Sequence, residues 1–209
     1  MIDDGYTLYL QLQKLNLLEN KPLLWWPNPY TVEMVVGAIL TQNTQWTRVE
    51  TSLENLKNNN LLSLSTLAQA DNALVVECIR TSGFFNVKSQ NIQRLAKVIL
   101  DDFGDFETFQ ELVSREWLLS QKGIGQESAD AILCYGCRRD VMVIDKYTQQ
   151  LVLALGLEFD DYEDLQLWCM QGFLSDQRHQ DFAHFHGMIV EYMKKYKKGK
   201  VIHTEPILR

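Results

Sequence analysis

Hydrophobic positions recur along this chain with a period near 3.6 rather than 2. In "TVEMVVGAILTQN", Val32, Val35, Val36, Ile39 and Leu40 fall on one face, the i, i+3, i+4, i+7, i+8 spacing of an amphipathic helix. "SQNIQRLAKVILDDFG" repeats the pattern with Ile92, Leu95, Ile99 and Leu100, and Gly104 stands where that helix should end. The same period predicts helices over about 46–58, 72–80, 106–113, 114–122, 126–137, 146–156, 161–173 and 178–197. Alternating patterns are nearly absent, and "VMVI" before Asp145 is too short and isolated to build a sheet. The predicted class is all-α, built from short helices, with no internal repeat and no low-complexity linker.

Composition changes this picture little. A chain of 209 residues makes one domain or two modest lobes, long enough to bury a sizeable core. Hydrophobic residues at 46% and charged residues at 22% are ordinary for a globular protein. The net charge of −7 argues against binding nucleic acid through bulk charge. It leaves room for a local basic face, because the field depends on where charges sit. "KKYKKGK" at 194–200 is such a candidate, a solvated tail that can also reach phosphates. The N-terminal "MIDDGYTLYL" is acidic where a secretion signal is basic. No apolar run approaches the ~18 residues that span a bilayer. These features predict a soluble, cytoplasmic protein. Cys134 and Cys137 form a CxxC inside a helical pattern without a second ligand pair, so buried thiols are expected there rather than zinc.

Three local features carry candidate chemistry. In "SQKGIGQESAD", Gly123 and Gly125 flank Ile124 and break one helix just before another begins at about Gln126. Glycine reaches positive φ and lets a second backbone come close. The first N–H groups of the following helix lack intrahelical partners and sit at its positive end, a neutral site for a phosphate. Taken alone, the motif supports only an αα-hairpin turn. Asp145 follows four apolar residues and precedes "KYTQQLVLALG". It is placed to cap that helix, and a capped carboxylate is also a fixed, ionised one, able to face developing positive charge. Trp25 and Trp26 are locked by Pro27 and Pro29 in "LLWWPNPY", with Trp46 further on. Their rings serve either as a hydrophobic lid or as a slot in which a base stacks, favourable for a cationic ring. His184 and His186, two apart, point different ways on a helix and make no metal site. His186 is expected to line a pocket or cap a neighbouring helix.

Taken together these segments are similar to a known family. "WLLSQKGIGQESADAILCYGC" followed by "VMVID" resembles the helix-hairpin-helix and aspartate of the endonuclease III superfamily of DNA glycosylases. "GAILTQNTQ" resembles that family's early helix and wedge loop, with Gln42 at the glutamine that enters the gap left by a flipped base. "GFFNVKSQNIQRLA" resembles the segment after a Gly-aromatic turn. The resemblance covers about residues 30–155. The "WWPN" and "LTQNT" pair looks like the bacterial 3-methyladenine glycosylase branch.

The resemblance implies a two-lobed fold with the active site in the cleft between lobes. One lobe is a helical barrel over 31–137 ending in the hairpin, and the other joins 1–30 to 138–209. It implies Asp145 as the catalytic carboxylate and Trp25, Trp26, Pro27 and Trp46 as base pocket. Gln42, Gly123, Ile124 and Gly125 would contact duplex DNA, with Asn86 and Lys88 as further backbone contacts. For those two a helix cap and a solvated lysine remain open. Two departures qualify it. Lyase members carry a lysine two residues beyond the second hairpin glycine, where this chain has Glu127, which cannot form an imine. Lys122 lies before the hairpin and is a poor substitute. Nothing after Cys169 is a cysteine, so no iron–sulfur cluster is expected. A monovalent cation at the hairpin carbonyls is neither required nor excluded. The implied protein is a monomeric, monofunctional glycosylase acting on an alkylated purine, 3-methyladenine first. Its rivals are a glycosylase for mispaired adenine or an oxidised base, a non-catalytic DNA-binding module, and a helical interaction scaffold, which the acidic charge favours slightly.

Overall fold

The computed structural model describes residues 2–208. In chain order the helices are α1 (Gly5–Gln13), α2 (Val32–Leu40), α3 (Trp46–Asn58), α4 (Leu64–Gln69) and α5 (Asn72–Ile79). A 3-10 turn, Arg80–Ser82, leads to α6 (Phe85–Phe103), α7 (Phe106–Leu112), α8 (Arg115–Ser120) and α9 (Gln126–Ala131). Then come α10 (Lys146–Ala154), α11 (Tyr162–Met170), α12 (Arg178–Tyr196) and α13 (Glu205–Leu208). The sole strand pairing among the described residues is β1 (Lys197–Lys198) with β2 (Val201–Ile202), antiparallel. The protein is all-α, as the periodicity predicts.

Helix starts follow from side-chain oxygens taking the orphan N–H groups of the first turn. Asp4 accepts from Thr7 N, Asp105 from Thr108 N, Ser114 from Trp117 N, Asp145 from Thr148 N and Asp161 from Asp164 N. Three kinds of departure from the periodicity are local. The helices α1, α4 and α13 are additional to those predicted. The helix predicted over 126–137 is α-helical only to Ala131 and then widens to a π turn, Ile132–Gly136. Donors from outside take its last carbonyls: Gln110 Nε2 reaches Gly136 O at 2.5 Å and Tyr30 N reaches Tyr135 O at 2.9 Å. The basic stretch at 194–200 does not trail from α12. It turns back through Gly199, at φ +61°, into β2.

The chain divides into two compact units, Asn28–Cys137 and the combination of Met1–Pro27 with Arg138–Arg209. In the first, α2 is apolar all round and buried from Met34 to Leu40. It packs against α3, α6 and the π turn, while α4 lies along α6 and α5 along α3. In the second, α12 is the central element, packed on α1 and α10. An aromatic cluster of Tyr9, Phe173, Phe182 and Phe185 fills its core. Close approach depends on Gly5 here. A Cβ on Gly5 would stand 2.0 Å from the Cys169 carbonyl oxygen, so no other residue lets α1 meet α11.

Candidate active site

Asp145 is placed by two opposing preferences. The preceding Met142, Val143 and Ile144 are buried and held extended, with Gln166 Nε2 donating to Met142 O at 2.6 Å and Ile144 N to Tyr162 Oη at 3.3 Å. The helix α10 then starts on the carboxylate itself. Oδ1 accepts from Thr148 N at 2.7 Å and from Thr148 Oγ1 at 2.8 Å. The other oxygen, Oδ2, faces His186 Nε2 on α12 at 3.6 Å. That is an ion-pair separation, too long for a hydrogen bond. Burial alone would push the Asp145 carboxyl up. The facing His186 and the two Thr148 donors outweigh it and hold the group below its ordinary value. The side chain is 15% exposed, so one oxygen is anchored and the group as a whole keeps access to solvent.

Trp25 belongs to the same constellation. Its ring meets His186 edge-on, with centroids 5.3 Å apart, and Trp26 at 6.2 Å and 80°. Trp25 takes positive φ (+65°), rare for a bulky residue, and contacts from α12 hold it there. Its indole Nε1 donates to Glu191 Oε1 at 3.1 Å. Glu191 in turn pairs with Lys21 at 3.2 Å and Lys194 at 2.8 Å. Burial would raise the Glu191 carboxyl, but these three donors hold it below its usual range. Gly187 makes the fit possible, because a Cβ there would lie 2.5 Å from Trp25 Cγ. Trp26 is buried and Pro27 half-buried. His184 Nε2 meets Leu23 O at 2.5 Å, which ties the loop before the tryptophans to α12.

The hairpin lies in the other unit with Gln42, Trp46, Asn86 and Lys88. Gly123 adopts φ +88° and abuts Asn91, whose Nδ2 would be 2.1 Å from an added Cβ. Ile124 is buried between the helices. Gly125 is extended and caps α9, with open space where a side chain would project. A part-buried ion pair braces the hairpin: Arg115 Nε on α8 lies 2.7 Å from Asp130 Oδ1 on α9, and Nη2 lies 3.2 Å from Oδ2. Gln42 is bound to the same structure, its Nε2 donating to Gly123 O and Ser128 Oγ, both at 2.9 Å. Trp46, half-buried, opens α3, and Asn86 is exposed on the first turn of α6.

Lys88 requires a correction. It was expected as a DNA-backbone contact or a solvated side chain, and it is neither. It is 3% exposed, and its ammonium donates inward to Leu40 O at 2.8 Å, Thr44 Oγ1 at 2.7 Å and Ser82 O at 3.0 Å. Burial lowers its pKa to about 8. His186, expected as a lining or capping residue, directly faces Asp145, a pairing that sequence spacing cannot display.

The cysteines do not suit an iron–sulfur cluster, which needs converging thiolates. All four are buried. Burial drives the Cys169 thiol far above its ordinary pKa, and a thiol kept protonated does not ligate iron. Among the described residues no group of three or more His, Cys, Asp or Glu is placed to hold a metal ion. Nor is any described helix long and apolar enough to cross a membrane.

Comparison with known proteins accords with this constellation. Residues 36–171 match the family model of the HhH-GPD superfamily base excision DNA repair protein. A putative DNA repair glycosylase of Methanocaldococcus jannaschii is 35% identical over 185 residues, covering 85% of this chain and 83% of that protein. The crystal structure of the Helicobacter pylori 3-methyladenine DNA glycosylase MagIII, bound to 1,N6-ethenoadenine, superposes with a TM-score of 0.89. It is 42% identical, covering 93% of this chain and 99% of that one. An endonuclease III–DNA covalent intermediate shares the fold at a TM-score of 0.73 and 15% identity, over 95% and 88% of the two chains. The chain belongs to the HhH-GPD superfamily of base excision DNA repair proteins, with DNA glycosylases as its relatives.

Proposed function

We propose that the protein is a monofunctional DNA glycosylase that removes alkylated purines, 3-methyladenine foremost, from duplex DNA. The observation that carries this reading is Asp145, anchored through one oxygen by Thr148 and held ionised in a site walled by Trp25 and His186. Breaking an N-glycosidic bond leaves positive charge on the sugar ring. A pre-fixed carboxylate stabilises that charge without reorganising and orients the water that attacks C1′. An alkylated purine is cationic, so it departs with the bonding pair as a neutral base. Water forms the new C1′–O bond and gives up its proton. No strong acid is required for the leaving group, which fits a site whose task is recognition. Trp25, Trp26 and Trp46 supply ring faces suited to a cationic base. The MagIII structure, 42% identical and carrying an ethenoadenine, supports a purine modified on its ring.

In this reading the hairpin 123–125 holds the DNA backbone through glycine N–H groups and the start of α9. Gln42 fills the space left by the flipped base. Asn86, exposed on the first turn of α6, adds a backbone contact. Glu127 at the position of the family's lyase lysine excludes imine chemistry from that residue. The protein acts alone, as a monomer. A monovalent cation at the hairpin carbonyls is compatible with this arrangement.

The test is a set of duplexes bearing 3-methyladenine, 7-methylguanine, 8-oxoguanine or adenine opposite guanine, each scored for abasic sites. Release of the methylated purines, strongly slowed in Asp145→Asn with DNA binding retained, is the expected result. Release of only the oxidised or mispaired base would replace the substrate assignment. Unchanged release by Asp145→Asn would remove that residue from the mechanism.

A further inference from the structure

Among the described residues, the buried ammonium of Lys88 has no carboxylate against it. The oxygens it meets belong to Leu40, Thr44 and Ser82. The charged side chains on neighbouring elements are engaged elsewhere or exposed. Arg80 pairs with Glu77 at 2.7 Å, Glu33 accepts from Asn28, Arg94 donates to Asn91, and Arg48 and Glu50 face solvent on α3. Burying a charge without a counter-ion is costly. A methionine of similar length would pack there without that cost, so the three acceptors explain the lysine. They are not equivalent. Leu40 is the last residue of α2, so its carbonyl is among the orphan acceptors at the negative end of that helix. Thr44 closes the loop that begins at Thr41 and contains Gln42, and its hydroxyl also reaches Ser82 O at 2.5 Å. Ser82 ends the 3-10 turn and precedes Gly83 and Phe84, both at positive φ.

We propose that Lys88 is a positioning residue, whose ammonium pins the Gln42-bearing loop to the end of α2 and to the Ser82–Phe84 turn, presetting that loop for DNA. The inference rests on the reading of Gln42 as a DNA contact. One side of the loop is held by Lys88 and the other by the Gln42 amide on the hairpin. When DNA draws the Gln42 amide away from Gly123 and Ser128, the Lys88 side is what keeps the loop in place. Because burial brings the Lys88 pKa to about 8, the pin carries three donors below that pH and one fewer above it.

The experiment uses the full chain without DNA first. Amide-exchange protection factors, corrected for intrinsic rates, are measured for residues 41–45 and 82–85 from pH 6.5 to 9.5, with α6 amides as reference. Wild type should lose local protection as pH rises through about 8, and Lys88→Met should be poorly protected at every pH. Lys88→Arg, which cannot deprotonate, should restore protection and flatten its pH dependence. Affinity for a duplex with an abasic-site analogue is then compared for Lys88→Met, Gln42→Ala and the double variant. Each single variant should bind about tenfold more weakly, and the double no worse than Gln42→Ala, the sign of coupled residues. Wild-type-like protection and affinity in Lys88→Met overturn the inference. If Gln42→Ala binds as wild type while the Lys88→Met loop is loosened, the reading of Gln42 fails and the pin itself stands. Should Lys88→Met not fold, the wild-type pH series decides: protection that stays level from pH 7 to 9.5 overturns the pin.

Discussion

His186 Nε2 stands 3.6 Å from Asp145 Oδ2, across the contact of α12 with α10. The carboxylate is thus held from two directions, by Thr148 within its own helix and by the imidazole from another. This relationship decides how the site responds to acid. A carboxyl whose folded pKa lies below its ordinary value contributes stability that is complete above the ordinary value. That contribution is lost as pH falls through the depressed one. Base release should therefore persist to pH values below the ordinary carboxylate range on its acid side. Replacing His186 by Gln removes a major lowering influence and leaves burial, which raises the pKa, opposed by the Thr148 donors alone. The acidic limb of the pH–rate profile for base release should then move to higher pH. An unmoved limb would show that His186 does not govern the Asp145 charge.

Capping and the proposed catalytic role can be separated at Asp145. Asparagine keeps an oxygen for the Thr148 N–H, so Asp145→Asn should melt within about 1 kcal/mol of wild type. It should lose base release by roughly 10²–10³-fold, the scale of removing one electrostatic stabiliser. Alanine removes both functions, and Asp145→Ala should add a cap loss of about 1 kcal/mol. Thermal unfolding and single-turnover base release on the two variants check this. Equal loss of stability in both would mean that the carboxylate charge, not its capping oxygen, holds α10.

How far these features were legible in the sequence depended on how local their causes are. Asp145 was visible because a cap is written in adjacent residues: an apolar run, an Asp, then a helical period. The hairpin was visible because Gly123 and Gly125 interrupt that period. Lys88 was misread because "NVKSQN" has the look of a solvated segment, and its burial comes from α2 and the 3-10 turn, which meet it only in the fold. His186 and Glu191 had no local signal. Their roles exist because α12 lies against α10 and against the Trp25 loop. The π turn was hidden for the same reason, as the donors that occupy its carbonyls come from Gln110 and Tyr30.

Gly187 supplies a test of the aromatic wall that leaves the tryptophans in place. A Cβ there would meet the Trp25 ring at 2.5 Å, and overpacking of this kind costs about 1–3 kcal/mol. Gly187→Ala should shift Trp25, change its fluorescence and reduce release of 3-methyladenine more than it reduces affinity for undamaged duplex. Proportional loss of both activities with the fluorescence unchanged would assign the wall a purely structural role.

The two hairpin glycines should respond differently to alanine. Gly123 sits at φ +88° with Asn91 in the way, so Gly123→Ala should destabilise the fold by about 1–3 kcal/mol. Gly125 is extended and faces open space, so Gly125→Ala should melt like wild type. If the space beside Gly125 is where a phosphate approaches, the same variant should bind duplex more weakly at every sequence. Denaturant unfolding and duplex titrations at fixed salt separate the two effects. Full DNA affinity in Gly125→Ala would move the backbone contact away from that residue.

Imine chemistry gives the sharpest check on the monofunctional assignment. Forming a Schiff base needs a neutral amine at the sugar C1′, and Glu127, exposed on the first turn of α9, has none to offer. Borohydride added during turnover of a methylated duplex should therefore leave no covalent protein–DNA species, while abasic sites accumulate. The amine next to Asp145 in sequence is Lys146, exposed at the start of α10. If an adduct does form, Lys146→Ala identifies whether that lysine is its source. Loss of the adduct in this variant would make the enzyme a lyase through a position the family motif does not use.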